Sequence, residues 1–143
     1  MTDRGLSVAV NYVVGLAVTT VLITGLLFAA GDVVEDRRES TTRAELRVVG
    51  EGVAADLMTA DRLAQAGAET VVVEVSAPDA VAGSDYSVGL NASTGEVVLE
   101  TAEPSVTVRV PFGNRTPVAT STTNGGDVEI VLSGTGELEV VSA

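Results

Sequence analysis

A chain of 143 residues has room for at most one ordinary domain beside a membrane segment, and this one contains neither cysteine nor histidine. Disulfides, thiolate metal sites, Ser-His and Cys-His pairs and most zinc or non-haem iron sites are therefore excluded. That inventory argues against an enzyme, and no catalytic, cofactor-binding or metal-binding residues are expected. Twenty acidic residues stand against eight basic ones, all of them Arg, and the net charge of −12 repels phosphate. Nucleic acid is not an expected partner.

Taken in order, residues 1–5 (Met1-Thr2-Asp3-Arg4-Gly5) form a short polar start. Residues 6–31 then run for 26 positions without a charge. At a helical rise of 1.5 Å per residue this is about 39 Å, enough to cross a hydrocarbon core of about 30 Å with some tilt. A removable secretory signal has an apolar core of about 7–15 residues and an Ala-x-Ala-like cleavage site. Here the core is longer and Ala29-Ala30-Gly31 is only a weak site, so the segment is expected to be retained. Gly15, Ala17, Thr20, Thr24, Gly25 and Ala29 spread small side chains along it, which lets helices approach closely in lipid. Membrane lipid and self-association through this helix are the partners expected of it. Asn11 is the buried-type polar residue of the run. Its amide either fixes helix register through a partner or sits at the membrane interface beside Tyr12.

From Asp32 the chain becomes charged without meeting a proline, so the helix is expected to continue. Leu46, Val49, Val53, Leu57, Ala60 and Ala64 recur at spacings of three and four and make one apolar stripe. Glu39 and Arg43 form an i,i+4 pair of favourable order. Gly50 and Gly52 weaken the helix by about 1 kcal/mol each relative to Ala and mark a candidate bend. Gly67 is a suitable C-terminal stop. One helix from near Leu6 to Ala66 is expected, with its stripe packed on the C-terminal part of the chain.

After Gly67 the period changes to two. Strands are expected over 70–76, 86–90, 96–100, 106–110, 128–132 and 138–141, with hairpin turns at 91–95 and 134–136. Residues 111–126, rich in Pro, Gly, Thr, Ser and Asn, read as a surface loop. The expected fold class is α+β: a long N-terminal transmembrane helix continues as an amphipathic helix packed on a small antiparallel β-sheet head. The expected division is 1–5 leader, 6–31 transmembrane or filament-core helix, 32–66 amphipathic continuation and 67–143 β-rich extracellular head. With 2 Phe, 2 Tyr and no Trp, the head's core is thin, and packing against copies of itself is expected to contribute to its stability.

Arg4-Gly5 followed by Leu6 and the apolar run resembles the processing site of archaeal type IV prepilins, which carry type III signal peptides. The resemblance covers the organisation of residues 1–66: short leader, apolar helix, amphipathic continuation. It implies cleavage between Gly5 and Leu6 by a membrane prepilin peptidase, assembly into a pilus filament, and partnership with an assembly ATPase and a membrane platform protein. Many type IV pilins have Glu at the fifth mature position, where this chain has Val10; many archaeal pilins lack it. The acidic, lysine-free, Ala/Val/Gly-rich composition looks like that of haloarchaeal proteins, whose carboxylates hold hydration while high salt mutes their repulsion.

The remaining motifs are weaker. Asn91-Ala92-Ser93 and Asn114-Arg115-Thr116 are N-glycosylation sequons, the second followed by Pro117. Glu137 and Glu139 read as a solvated strand face. Asp79, Asp85 and Asp127 lack calcium-loop spacing, and Gly125-Gly126 reads as a turn. Arg4 before the span and Arg37 and Arg38 after it leave the positive-inside balance even. The sequons and the resemblance favour the N-terminus inside and the head outside the cell. The alternative is a non-polymerising single-pass membrane protein whose extracellular β domain binds a partner.

Overall fold

The computed structural model describes residues 2–143, with side chains from Leu6 onward. It divides into two compact units, Met1–Arg37 and Arg38–Ala143. Helix α1 spans Thr2–Gln65, so the expected helix is present and continuous.

The first unit is helical, and every side chain from Leu6 to Arg37 is exposed. Three of its threonine hydroxyls bond to their own helix. Thr19 donates to the Gly15 carbonyl, Thr20 to Leu16 and Thr24 to Thr20, each at 2.8 Å. Such back-bonding leaves these three hydroxyls without need of a partner in an apolar medium.

The second unit, here called the head, contains the rest of α1 and seven strands. These are β1 (Val72–Val75), β2 (Tyr86–Asn91), β3 (Glu96–Thr101), β4 (Val106–Pro111), β5 (Ser121–Asn124), β6 (Val128–Leu132) and β7 (Leu138–Ser142). The helix ends where Gly67 takes φ +89°. The Ala68 N–H reaches back to the Leu63 carbonyl and the Gly67 N–H to Ala64, which closes the last turn as a Schellman motif.

The expected single sheet is in fact two. One has the order β1-β6-β7 and the other β4-β3-β2-β5, with every pairing antiparallel. The expected loop at 111–126 is also corrected, because it contains β5. Ser121-Thr122-Thr123-Asn124 shows no apolar alternation, and it is a strand because it pairs with β2, Gly89 facing Thr122. Just before β5 the chain runs beside β7. Pro117 and Ala119 exchange backbone hydrogen bonds with Leu138 at 2.8 Å, and the Val140 N–H donates to Ser121 Oγ. One stretch of chain therefore serves both sheets.

Each sheet turns one face inward. Val88, Leu90, Val97, Leu99, Val106 and Val108 come from the four-stranded sheet, and Val75, Val128, Ile130, Leu138 and Val140 from the three-stranded one. The helix stripe completes the same core with Leu46, Val53, Leu57 and Ala60 fully buried. Gly50 is not a bend. The helix passes through it unbroken, and a Cβ there would lie 2.6 Å from Leu99 Cδ1 and 2.8 Å from Val110 Cγ2. Its missing side chain lets the helix backbone lie against the sheet, whereas Gly52 faces open space.

The two glycines therefore predict opposite signs. Gly52→Ala should stabilise the head by up to about 1 kcal/mol through helix propensity. Gly50→Ala should destabilise it by about 1–3 kcal/mol through overpacking. Thermal unfolding of the full chain in detergent, measured by circular dichroism, checks both. On the outer face of the three-stranded sheet, Glu74 stands directly opposite Glu129. Like charges so placed repel, so raising the salt from about 0.1 M to about 1 M should raise the melting temperature. In Glu129→Gln that gain should be smaller.

Candidate functional site

The first feature that a function could use is the apolar helical segment. Leu6, Leu26 and Phe28 are 63%, 70% and 74% exposed, and no large apolar side chain from Leu6 to Val34 is covered. A window of this segment reaches a mean hydropathy of 2.3, so the helix is long and apolar enough to cross a membrane. Leu6 lies within this surface. The side chains of residues 2–5, and with them the Gly5 half of the expected cleavage junction, lie outside the described residues. Asn11 is exposed on the helix next to Tyr12.

The head is tied to its own helix by two carboxylates that no local sequence pattern singles out. Glu45 Oε2 accepts the N–H of Ala82 at 2.7 Å. Ala82 has φ +49° and Gly83 φ +79°, and Val81 and Ser84 exchange both backbone hydrogen bonds at 2.9 Å. A two-residue turn of this kind needs positive φ at both centres, which Ala resists. The Glu45 carboxylate offsets that strain by holding the Ala82 amide.

Asp61 makes the second tie. Its Oδ1 accepts the N–H of Thr116 at 2.7 Å and of Arg115 at 3.1 Å, and its Oδ2 accepts the Gln65 amide. Only 6% of the residue is exposed. Burial acts to raise its pKa, but the bonds from Thr116, Arg115 and Gln65 outweigh it, and the carboxyl titrates below its ordinary 3.8. A lone Asp on the polar edge of a helical stripe carries no local sign that it will capture backbone amides more than fifty residues away.

Tyr86 forms a third polar centre. Its hydroxyl donates to the Pro78 carbonyl at 2.8 Å and accepts the Gly126 N–H at 3.3 Å. Burial pushes the phenol up from 10.0, and the charges of Asp79 and Asp127 push the same way against the Gly126 bond. Gly125 packs on the tyrosine ring, where a Cβ would collide. The Gly125-Gly126 pair is thus a turn built around Tyr86, its second amide already engaged.

The sequons differ in setting. Asn91 closes β2, and its Oδ1 accepts the N–H groups of Ser93 at 3.0 Å and Thr94 at 3.3 Å. Asn114 spends its Nδ2 on the Thr116 carbonyl at 2.6 Å, inside the loop that Asp61 holds. Glu139 lies on β7 opposite Val131, and Glu137 just before the strand accepts from Thr135. Among the described residues no group of three or more Asp or Glu is placed to hold a metal ion.

Fold and surface together define a class: an α+β protein with one long, uncovered apolar helix near the N-terminus and a small two-sheet β domain. The chain belongs to a family of unknown function (DUF7266), whose model matches residues 1–142. No curated protein matches it, and no solved structure does.

Asp61→Asn should destabilise the head by about 1.5–3 kcal/mol at pH 7, the range for hydrogen bonds to a charged acceptor. A carboxyl with a lowered folded pKa stabilises fully above its unfolded value and loses that contribution as pH falls through the folded one. The difference between wild type and D61N should accordingly shrink below about pH 4. Melting curves across pH 2–7 measure it.

Proposed function

We propose that this chain is a type IV pilin-like structural subunit, anchored in the membrane as a precursor and assembled into a cell-surface filament. The observation that carries the reading is the uncovered apolar segment. Leu6 to Val34 present large apolar side chains that no part of their own chain shields. A surface of that size needs lipid or other helices. In the precursor it takes lipid as a single-pass anchor with the head outside the cell; in the filament it takes copies of itself. Arg4-Gly5 directly before Leu6 supports cleavage at that junction. The acidic, lysine-free composition supports a haloarchaeal, high-salt setting.

In this role the subunit performs no catalysis. Its work is mechanical and interfacial: the helix carries assembly, and the head supplies the outer surface. The prepilin peptidase, the assembly ATPase and the membrane platform are the partners that the resemblance implies.

The test is the mass and N-terminal sequence of the protein from native membranes and from sheared cell-surface material. A chain beginning at Leu6 and present in the sheared fraction is expected. Gly5→Val should keep the leader and vanish from that fraction. A membrane-only wild-type chain that retains Met1 or Thr2 would sink the reading and leave the anchored, non-polymerising binding module.

A further inference from the structure

We propose that Asn91 is an N-glycosylation site whose first sugar rests in a trough over Gly89 on the outer face of the four-stranded sheet, and that Asn114 stays unmodified. The proposal rests on the reading that the head faces outside the cell, where glycan-bearing surfaces lie.

The first argument concerns the reacting nitrogen. Two backbone N–H groups, from Ser93 and Thr94, point at one atom of the Asn91 amide. Only an oxygen can accept both, so the chemistry fixes the flip of the side chain and leaves Nδ2 on the open side. That nitrogen has no hydrogen-bond partner among the described residues. The Ser93 bond is an Asx turn, which folds the sequon back on itself and draws its serine toward the asparagine amide. Asn114 is the reverse case. Its Nδ2 already donates to the Thr116 carbonyl, the Arg115 and Thr116 amides are held by Asp61, and Pro117 comes next. A glycan there has to compete with a loop whose polar groups are already spent.

The second argument is the surface beside Asn91. On the face turned away from the core, cross-strand neighbours form rows: Asn124-Ser87-Glu100-Thr107, then Thr122-Gly89-Val98-Arg109, then Asn91-Glu96-Pro111. In the middle row Gly89 carries no side chain and is buried, because β5 fills the place a Cβ would take. A Cβ there would stand 2.8 Å from Thr122 Oγ1 and 3.1 Å from the Ser121 carbonyl. Along this row lies a trough of about 190 Å³ whose lining includes Ser87, Asn91, Val98, Glu100, Thr120 and Thr122. It is apolar at Val98, and around it stand three hydroxyls, of Ser87, Thr120 and Thr122, and the Glu100 carboxylate. A pyranose ring has the same division, with C–H groups on its faces and hydroxyls around its edge. Asn91 lines the trough, so a sugar on its nitrogen is delivered to that surface without any search.

The reaction needs a lipid-linked oligosaccharide as co-substrate. The new bond joins Asn91 Nδ2 to the anomeric carbon. The bond from that carbon to the phosphate oxygen breaks, the phosphate leaves with the lipid carrier, and the amide gives up one proton to solvent.

The test uses the full chain produced in an archaeal host that N-glycosylates its surface proteins. Peptide mass spectrometry should find Asn91 occupied and Asn114 bare. Ser93→Ala should abolish occupancy while keeping Asn91 and the backbone amides of its turn. Hydrogen exchange in β2 and β5 should then run several-fold faster than in wild type, because the trough is uncovered. Thr116→Ala should change neither occupancy nor that exchange. An unmodified Asn91, or occupancy at Asn114 in its place, overturns the proposal. An occupied Asn91 with no effect of Ser93→Ala on exchange overturns the seat over Gly89. Protease treatment of intact cells separates the two readings. Release of the head beside a bare Asn91 refutes the glycan alone, and a protected head refutes the outward-facing reading with it.

Discussion

At Gly50 the backbone of α1 lies against Leu99 and Val110 with no side chain between them, and the packing of the head depends on that approach. Two sheets of three and four strands each have one apolar face, built from Val, Leu and Ile. Neither face is large enough to be stable alone, since so small a domain buries a modest share of its surface. The stripe from Leu46 to Ala60 joins both faces into one core. A Cβ at position 50 would hold the helix off the sheet and leave gaps beside it, and close-packed interiors tolerate such gaps poorly. The polar ties belong to the same arrangement. Glu45 and Asp61, about 24 Å apart along the helix, fasten its length to the 81–84 turn and to the 115–116 loop.

Much of this was readable from residue order alone, and the reasons are physical. The helix, its stripe, its stop at Gly67 and six of the strands are local patterns: a period near 3.6, a period of two, a glycine that accepts positive φ. What escaped was non-local. Ser121-Thr122-Thr123-Asn124 becomes β5 because Gly89 leaves room for it, which nothing within residues 111–126 announces. The division into two sheets depends on β1 choosing β6 and β2 choosing β3, partners tens of residues apart in the first case. Gly50 read as a weak point of the helix because propensity is local, while its use is the sheet across from it. Asp61 and Glu45 escaped for the same reason, because their partners lie far along the chain.

Charge is distributed as sharply as hydrophobicity. Residues 6–31 carry none of it and Asp3 and Arg4 cancel, so the whole excess of carboxylates lies in the charged helix half and the head. On the outer face of the three-stranded sheet, Glu74, Glu129 and Glu139 all point away from the core, two of them directly opposed. In dilute buffer this face works against its own sheet. With a Debye length of about 3 Å at 1 M salt the repulsion falls away while hydration of the carboxylates remains. The fold is thus better suited to salt than to its absence, independently of where the composition points.

The proposed assembly puts a particular demand on the apolar segment, which has to leave lipid for other helices. Apolar side chains gain little from that exchange, because lipid tails and neighbouring helices are alike in hydrophobic terms. Polar groups that needed a partner in one setting and not in the other would bias it. Thr19, Thr20 and Thr24 remove that bias by bonding to their own helix at 2.8 Å. What is left to decide how two such helices meet is shape and a few polar groups near the N-terminal end, Ser7, Asn11 and Tyr12. Gly15 and Gly25 face open space and permit close approach, and Asn11 is the only side-chain amide between residues 6 and 31. An energetically near-neutral transfer with its polar marks confined to one end can be reversible in the membrane and specific in the bundle. A segment uniformly rich in leucine would have the first property without the second.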